Sequence, residues 1–136
     1  MTANNRVEAV RAAVAALNAG DIDGYLRCID PSCKRWVAGF DHPLTLADVR
    51  DSIYHLHEAF EDLYLHEDLL FGTDQFVCAR WRMHGVHVKD YMGIAPQLRK
   101  INLQTCEIYA FGGDRVTAVW TYGDPAQLLR QISAAS

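Results

Sequence analysis

The sequence predicts an α+β domain in which helices come first and an antiparallel strand meander follows. Apolar residues recur at three- and four-residue steps as far as residue 63, and beyond it the period changes to alternation. The alternating segments are divided by turn signals, Gly72-Thr73-Asp74 and Gly112-Gly113-Asp114, of the kind that join neighbouring antiparallel strands.

Val7, Val10, Val14 and Leu17 give an amphipathic helix over residues 6 to 17, which Gly20 can close from the left-handed region. A second short helix begins near Asp21, carries Ile22, Tyr25, Leu26 and Ile29 on one face, and stops before Pro31. An irregular stretch follows. Thr45-Leu46-Ala47-Asp48 then resembles a capping box, and Val49, Ile53, Leu56, Phe60 and Leu63 continue the longest helical pattern, over residues 46 to 63. Strands are predicted at roughly 64 to 71, 76 to 88, 99 to 111 and 115 to 122. Without an internal repeat or a linker, residues 1 to 136 read as a single domain.

Half of the 136 residues are apolar and 22% are charged, an ordinary globular composition. Seventeen acidic against thirteen scattered basic residues leave a formal charge of −4, which argues against nucleic acid as a partner. The first residues lack the order of a signal peptide, and no apolar run is long enough to span a bilayer, so the expectation is a cytoplasmic protein without a membrane partner. Cys28, Cys33, Cys78 and Cys106 form no C-x-x-C pair and read as small buried thiols.

Strand parity gives a map of faces. Val77, Ala79, Trp81 and Met83 share the apolar side, Arg80, Arg82 and His84 lie opposite, and His87 joins the apolar set. In the next strand Ile101, Leu103, Thr105, Glu107, Tyr109 and Phe111 share a side, and Glu107 is its one charged member. A carboxylate so placed either finds a hydrogen-bonding partner or is pushed toward its neutral form by desolvation, which makes Glu107 a candidate acid/base group. His84 and His87 fall on opposite faces, and His55 and His57 diverge on a helix, so no metal is expected. Signals for a nucleophile elbow, a phosphate loop or a dinucleotide fold are absent.

Trp81-Arg-Met-His-Gly85-Val-His87, followed by Tyr91-Met-Gly93-Ile94-Ala-Pro96, resembles the W-x-x-x-G-x-H and G-I-P-P signature of SnoaL-like polyketide cyclases. Trp120, Asp124 and the tail Leu128-Leu129-Arg130-Gln131-Ile132 resemble that family's W-x-x-x-D and closing L-L-x-Q-L, and Phe60 and Leu63 fall where its long helix ends. The resemblance implies the ketosteroid isomerase-like, or nuclear transport factor 2-like, architecture: a cone of curved antiparallel sheet with N-terminal helices enclosing an apolar cavity, assembled as a homodimer. The mixed face His84, Asn102, Gln104, Cys106 and Ile108 is the surface expected to pair.

In the aldol-type cyclases of that family an aspartate on the last strand and a histidine on the preceding one do the acid/base work. Their places fall at Thr121 and Glu107, and an assisting asparagine falls near Arg35. The resemblance therefore implies a pocket for a small hydrophobic molecule with Glu107, His87 and Arg35 as catalytic candidates and Trp36, Phe60, Trp81, Tyr91, Tyr109 and Thr121 as its lining. Two readings of function follow. One is cofactor-independent acid/base chemistry of cyclase, isomerase or accessory hydroxylation type on a cyclic or polyketide-derived carbonyl compound, with Glu107 as base. The other is a hydrophobic-ligand-binding or assembly protein in which Glu107 is a structural member of an ion pair. A close contact between Glu107 and an arginine discriminates them, because it weakens the assignment of Glu107 as base.

Overall fold

A computed structural model describes residues 2–124 and 126–133. Helix α1 (Ala3–Asn18) starts at Thr2, whose hydroxyl accepts a hydrogen bond from the Asn5 N–H at 3.1 Å, and the chain leaves it through Gly20 at φ 82°. Helix α2 (Ile22–Arg27) is capped by the Asp21 carboxylate. Helix α3 (Leu46–Ala59) carries the complete capping box, Asp48 N–H to Thr45 Oγ1 at 3.2 Å and Thr45 N–H to Asp48 Oδ2 at 2.9 Å.

Strands β1 (Ile29–Val37), β2 (Phe60–Gly72), β3 (Phe76–His87), β4 (Lys100–Gly112) and β5 (Arg115–Tyr122) form one sheet in the order β1-β5-β4-β3-β2. The sheet is curved and does not close. Its four consecutive members β2 to β5 pair antiparallel, as the turn signals predict. Helices α1 to α3 pack on one face. Val10, Ala13, Val14 and Tyr25 meet Val77, Ala79, Trp81, Tyr109, Val116 and Val119 in the larger core, while Ala59, Phe60, Ile101 and Ile132 form a second one. Short helix α4 (Gln127–Ser133) contributes Ile132 to the latter.

Three sequence expectations are corrected. The stretch expected to be irregular contains β1, and β1 pairs with β5 in parallel. The two strands are far apart in the chain, so no hairpin dictates their relative direction. Pro31 hid the strand; it lies where the register shifts between Ile29 and Lys34, a place that tolerates a residue without an N–H. Helix α3 ends at Ala59 rather than at residue 63. A β-bulge between Glu61 and Tyr64, with Asp62 at φ 56°, lets Phe60 and Leu63 point to the same side of a strand, and their three-residue spacing imitates a helix.

The motif around Trp81 has a packing origin. Trp81 is 1% exposed and its indole N–H donates to the Tyr109 hydroxyl at 3.1 Å. Gly85 sits where β2 crosses closest: a Cβ there would lie 2.8 Å from Leu63 Cδ2 and 3.3 Å from the Glu61 carbonyl oxygen.

Beyond the end of β5, strand β4 has no neighbouring strand at Asn102 and Gln104, and α4 supplies the missing partners through two amide side chains one turn apart. Gln131 accepts from the Asn102 N–H at 2.7 Å and donates to its carbonyl at 2.9 Å. Gln127 does the same for Gln104 at 3.0 and 2.8 Å. At the opposite edge Asn18 serves Leu65 of β2 in the same manner, at 2.8 and 3.0 Å. Replacing Gln131 with alanine is expected to lower stability by about 1 kcal/mol, since two backbone groups lose partners but regain water. A fall in the urea midpoint at constant m value is the expected result; an unchanged midpoint would show that the edge needs no such cover.

Candidate functional site

Register brings the central polar group together. Glu107 of β4 stands directly opposite Thr121 of β5, and Arg35 of β1 pairs with Val119. Arg35 Nη1 lies 3.0 Å from Glu107 Oε2, which also accepts the Thr121 hydroxyl at 3.0 Å. Glu107 Oε1 accepts the Tyr109 hydroxyl at 2.6 Å, and Arg35 Nη2 donates to the Tyr25 hydroxyl at 3.1 Å. The Glu107 and Arg35 side chains are 10% and 18% exposed. The buried carboxylate that parity predicts has its partners: a guanidinium and two hydroxyls.

Burial holds the Tyr25 and Tyr109 hydroxyls protonated, raising both above the ordinary phenolic range, and the nearby Glu107 charge adds to the effect in each. For Arg35 burial works against the charge, but Glu107 and the two tyrosines outweigh it and the guanidinium is held firmly protonated. Tyr25 is therefore a neutral phenol whose oxygen already accepts from Arg35, which leaves its proton to donate elsewhere. Arg35 Nε is buried and has no partner among the described residues. Both side chains border narrow voids under the helices. One, of about 20 Å³, is lined by Val10, Tyr25, Tyr109 and Val116 among others; a second, of about 10 Å³, lies between Cys33, Arg35, Leu46 and Val49.

The structure divides the expected pocket. Glu107, Arg35, Thr121, Tyr109 and Trp81 belong to one connected network. His87 does not: from residue 107 to residue 99, which faces His87, β4 runs roughly 27 Å at its ordinary rise. His87, expected as a catalytic candidate with Glu107, is therefore placed away from it. His87 stacks on Phe60, ring centroids 5.0 Å apart, and Phe60 meets Tyr91 edge-on at 5.4 Å, so Phe60, Tyr91 and His87 belong to the second core. Trp36 is 43% exposed on the outer side of the sheet, opposite Trp120. Adjacent strand residues face opposite ways, so once 29–37 is a strand, an inward Arg35 requires an outward Trp36. Tyr25 is the member that sequence reading missed; its helical position gave only a core signal.

Solved structures share this fold. AclR of Streptomyces galilaeus, which carries a provisional hydroxylase assignment, matches 99% of this chain over 100% of its own at 21% identity and a TM-score of 0.89. TsrD of Streptomyces laurentii matches 99% over 99% at 21% and 0.82. IdmH of Streptomyces antibioticus, provisionally a polyketide cyclase, matches 95% over 99% at 19% and 0.80. These likenesses establish the nuclear transport factor 2-like cone. Residues 7–132 match the SnoaL-like polyketide cyclase profile, and the chain belongs to that family. A comparison with curated proteins finds no match.

The two positions at which the resemblance to the cyclases expects acid/base residues, Thr121 and Glu107, and Arg35, where it expects an assisting asparagine, meet around one carboxylate. Glu107→Gln is expected to destabilise the fold by about 3 kcal/mol, because it leaves the Arg35 charge buried without its counter-ion. The double replacement Arg35→Met with Glu107→Met should recover most of that loss. Chemical denaturation of the three proteins checks it, and a double variant no more stable than the single one would contradict the pairing argument.

Proposed function

We propose that this SnoaL-like protein acts without a cofactor on a hydrophobic cyclic or polyketide-derived carbonyl compound, by polarising its carbonyl oxygen. The observation that carries the reading is the pair of unsatisfied donors, Arg35 Nε and the Tyr25 O–H, held at the inner face of the sheet by an anionic anchor. A carbonyl oxygen set between them gains negative charge as an enolate forms: a proton leaves the α-carbon to water, the C–H pair becomes the C=C bond and the carbonyl π pair moves onto the oxygen. Glu107 is a positioning residue in this scheme, with Oε1 and Oε2 engaged by Tyr109, Thr121 and Arg35. The family aspartate's role as base does not pass to it.

Ring-sized ligands need more room than the voids beside Arg35 and Tyr25 offer. Leu46 and Val49 of α3 close this side, and the loop that leads into α3 is tied back by the Arg35–Leu44 bridge, at 2.9 and 2.8 Å, and by the Ala38 N–H on the Thr121 carbonyl at 3.0 Å. Outward movement of that cover would admit a ring. The tight Arg35–Glu107 contact also favours the second reading, a binding protein without turnover. The two separate in D₂O with 2-tetralone as probe. Catalysis predicts α-proton exchange above the buffer rate, reduced about 100-fold by Arg35→Gln and about tenfold by Tyr25→Phe. Saturable quenching of tryptophan fluorescence with exchange at the buffer rate would establish binding alone.

The homodimer is proposed on the outer face of the sheet. Trp36, Tyr64, Leu69, Phe71, Phe76 and Tyr122 are each more than a third exposed there, and strand parity places all of them on that one side. Aromatic area of this kind on an exposed sheet face is the composition of an interface core. Sedimentation at micromolar concentration should find a dimer, and Ile108→Arg at the centre of the face should give a monomer. A monomeric parent protein would overturn the assembly.

A further inference from the structure

The second core holds polar groups that the carbonyl site does not use. His87 is fully buried, and neither of its ring nitrogens has a partner among the described residues. The same is true of Arg99 Nε and Nη2. The His87 N–H donates to the Arg99 carbonyl at 2.9 Å, and Gly85 opposite Ile101 and Val86 opposite Lys100 set the register. His87 and Arg99 are therefore cross-strand partners whose side chains share the inner face.

Leaving four nitrogens buried and unpaired is costly, and their arrangement is selective. Nε and Nη2 form one edge of the guanidinium, two parallel N–H donors at the spacing of a carboxylate's oxygens. The imidazole adds a third donor in either tautomer. Beside this group stand two aromatic rings, Phe60 stacked on His87 and Tyr91 against Phe60.

A groove of about 640 Å³ opens to solvent on the outer side of Tyr91, with Glu58, Ala59, Lys89, Asp90 and Met92 among its other walls; His87 and Arg99 are not part of that lining. Tyr91 and Ile94 close a tight turn through bonds of 3.0 and 2.9 Å, with Met92 at φ 49° and Gly93 at φ 80° between them. That turn is the cover between groove and core, and Met92 at its tip is 72% exposed.

We propose that His87 and Arg99 form an anion-binding subsite that takes the carboxylate of a small aromatic acid entering from this groove. The carboxylate accepts the two Arg99 donors side by side and one His87 N–H, while its ring takes the place of Tyr91 against Phe60. The subsite stands apart from the Arg35 network and does not depend on the carbonyl chemistry there.

Benzoate, with uncharged benzamide as control, tests it by nitrogen-resolved NMR of the whole protein. Benzoate should shift the His87 ring and Arg99 Nε–H signals saturably, and benzamide should bind at least about tenfold more weakly. Arg99→Lys keeps the charge and loses the fork, so it should weaken benzoate about tenfold or more, whereas Lys34→Ala, at an exposed position of β1, should change it less than about threefold. The parent titration decides the matter even where a variant fails to fold. Absence of a saturable shift, equal binding by Arg99→Lys and the parent, or a crystal structure in which ordered waters satisfy these nitrogens and benzoate does not displace them would each overturn the assignment.

Discussion

A charge pair inside the sheet's concave face sets the terms for everything around it. Arg35 and Glu107 are too buried to rely on water, so each must be surrounded by groups that answer its remaining hydrogen-bonding capacity. Thr121, Tyr109 and Tyr25 answer most of it, leaving Arg35 Nε without a partner among the described residues, and Trp81 in turn orients Tyr109. Five elements, α2, β1, β3, β4 and β5, are bound into this one network. The parallel pairing of β1 with β5 follows the same demand, because it is what carries Arg35 to the inner face beside Val119, within reach of a carboxylate on β4.

The sheet's limits are handled by amides. A strand that outruns its neighbour exposes N–H and C=O groups that invite another chain. Asn18, Gln127 and Gln131 each offer a donor and an acceptor in one planar group, which is the pattern a neighbouring strand would present. Leu65, Asn102 and Gln104 are thereby covered, while the outer face stays open and aromatic.

How far the sequence could be read depended on whether one period or two were at work. Strands β3, β4 and β5 keep strict alternation, and parity placed Glu107, Trp81 and Tyr109 inward and His84 opposite His87 correctly. Strand β2 carries two register shifts, and the first reproduced a helical step at Phe60 and Leu63. Strand β1 was hidden by Pro31, and with it went the knowledge that Arg35 and Trp36 diverge. The pocket expected from six aromatic and hydroxyl residues failed at that level: same-face membership is visible in a sequence, but position along the face is not. Glutamines at 127 and 131 show the converse case, where family resemblance marked the tail and only the pairing of β4 beyond the end of β5 supplies its physical reason.

Position along the face also bears on chemistry. Between the Glu107 network and His87 the inner side of β3 and β4 carries Met83, Leu103, Gly85 and Ile101, an apolar span with no charged group. Each polar pole is isolated in a low-dielectric interior, where an unpaired donor acts more strongly than it would in water. A compound much shorter than the roughly 27 Å of strand between residues 99 and 107 meets one pole or the other. The cone is thus a scaffold whose inner face offers two chemically distinct ends, one built around an anion held by Arg35 and one around a cation, Arg99, with no anion of its own among its described hydrogen-bonding partners. That asymmetry sets the two ends apart: one guanidinium has a counter-ion and keeps a single free donor, Nε, while the other has an edge of two free donors among the described residues.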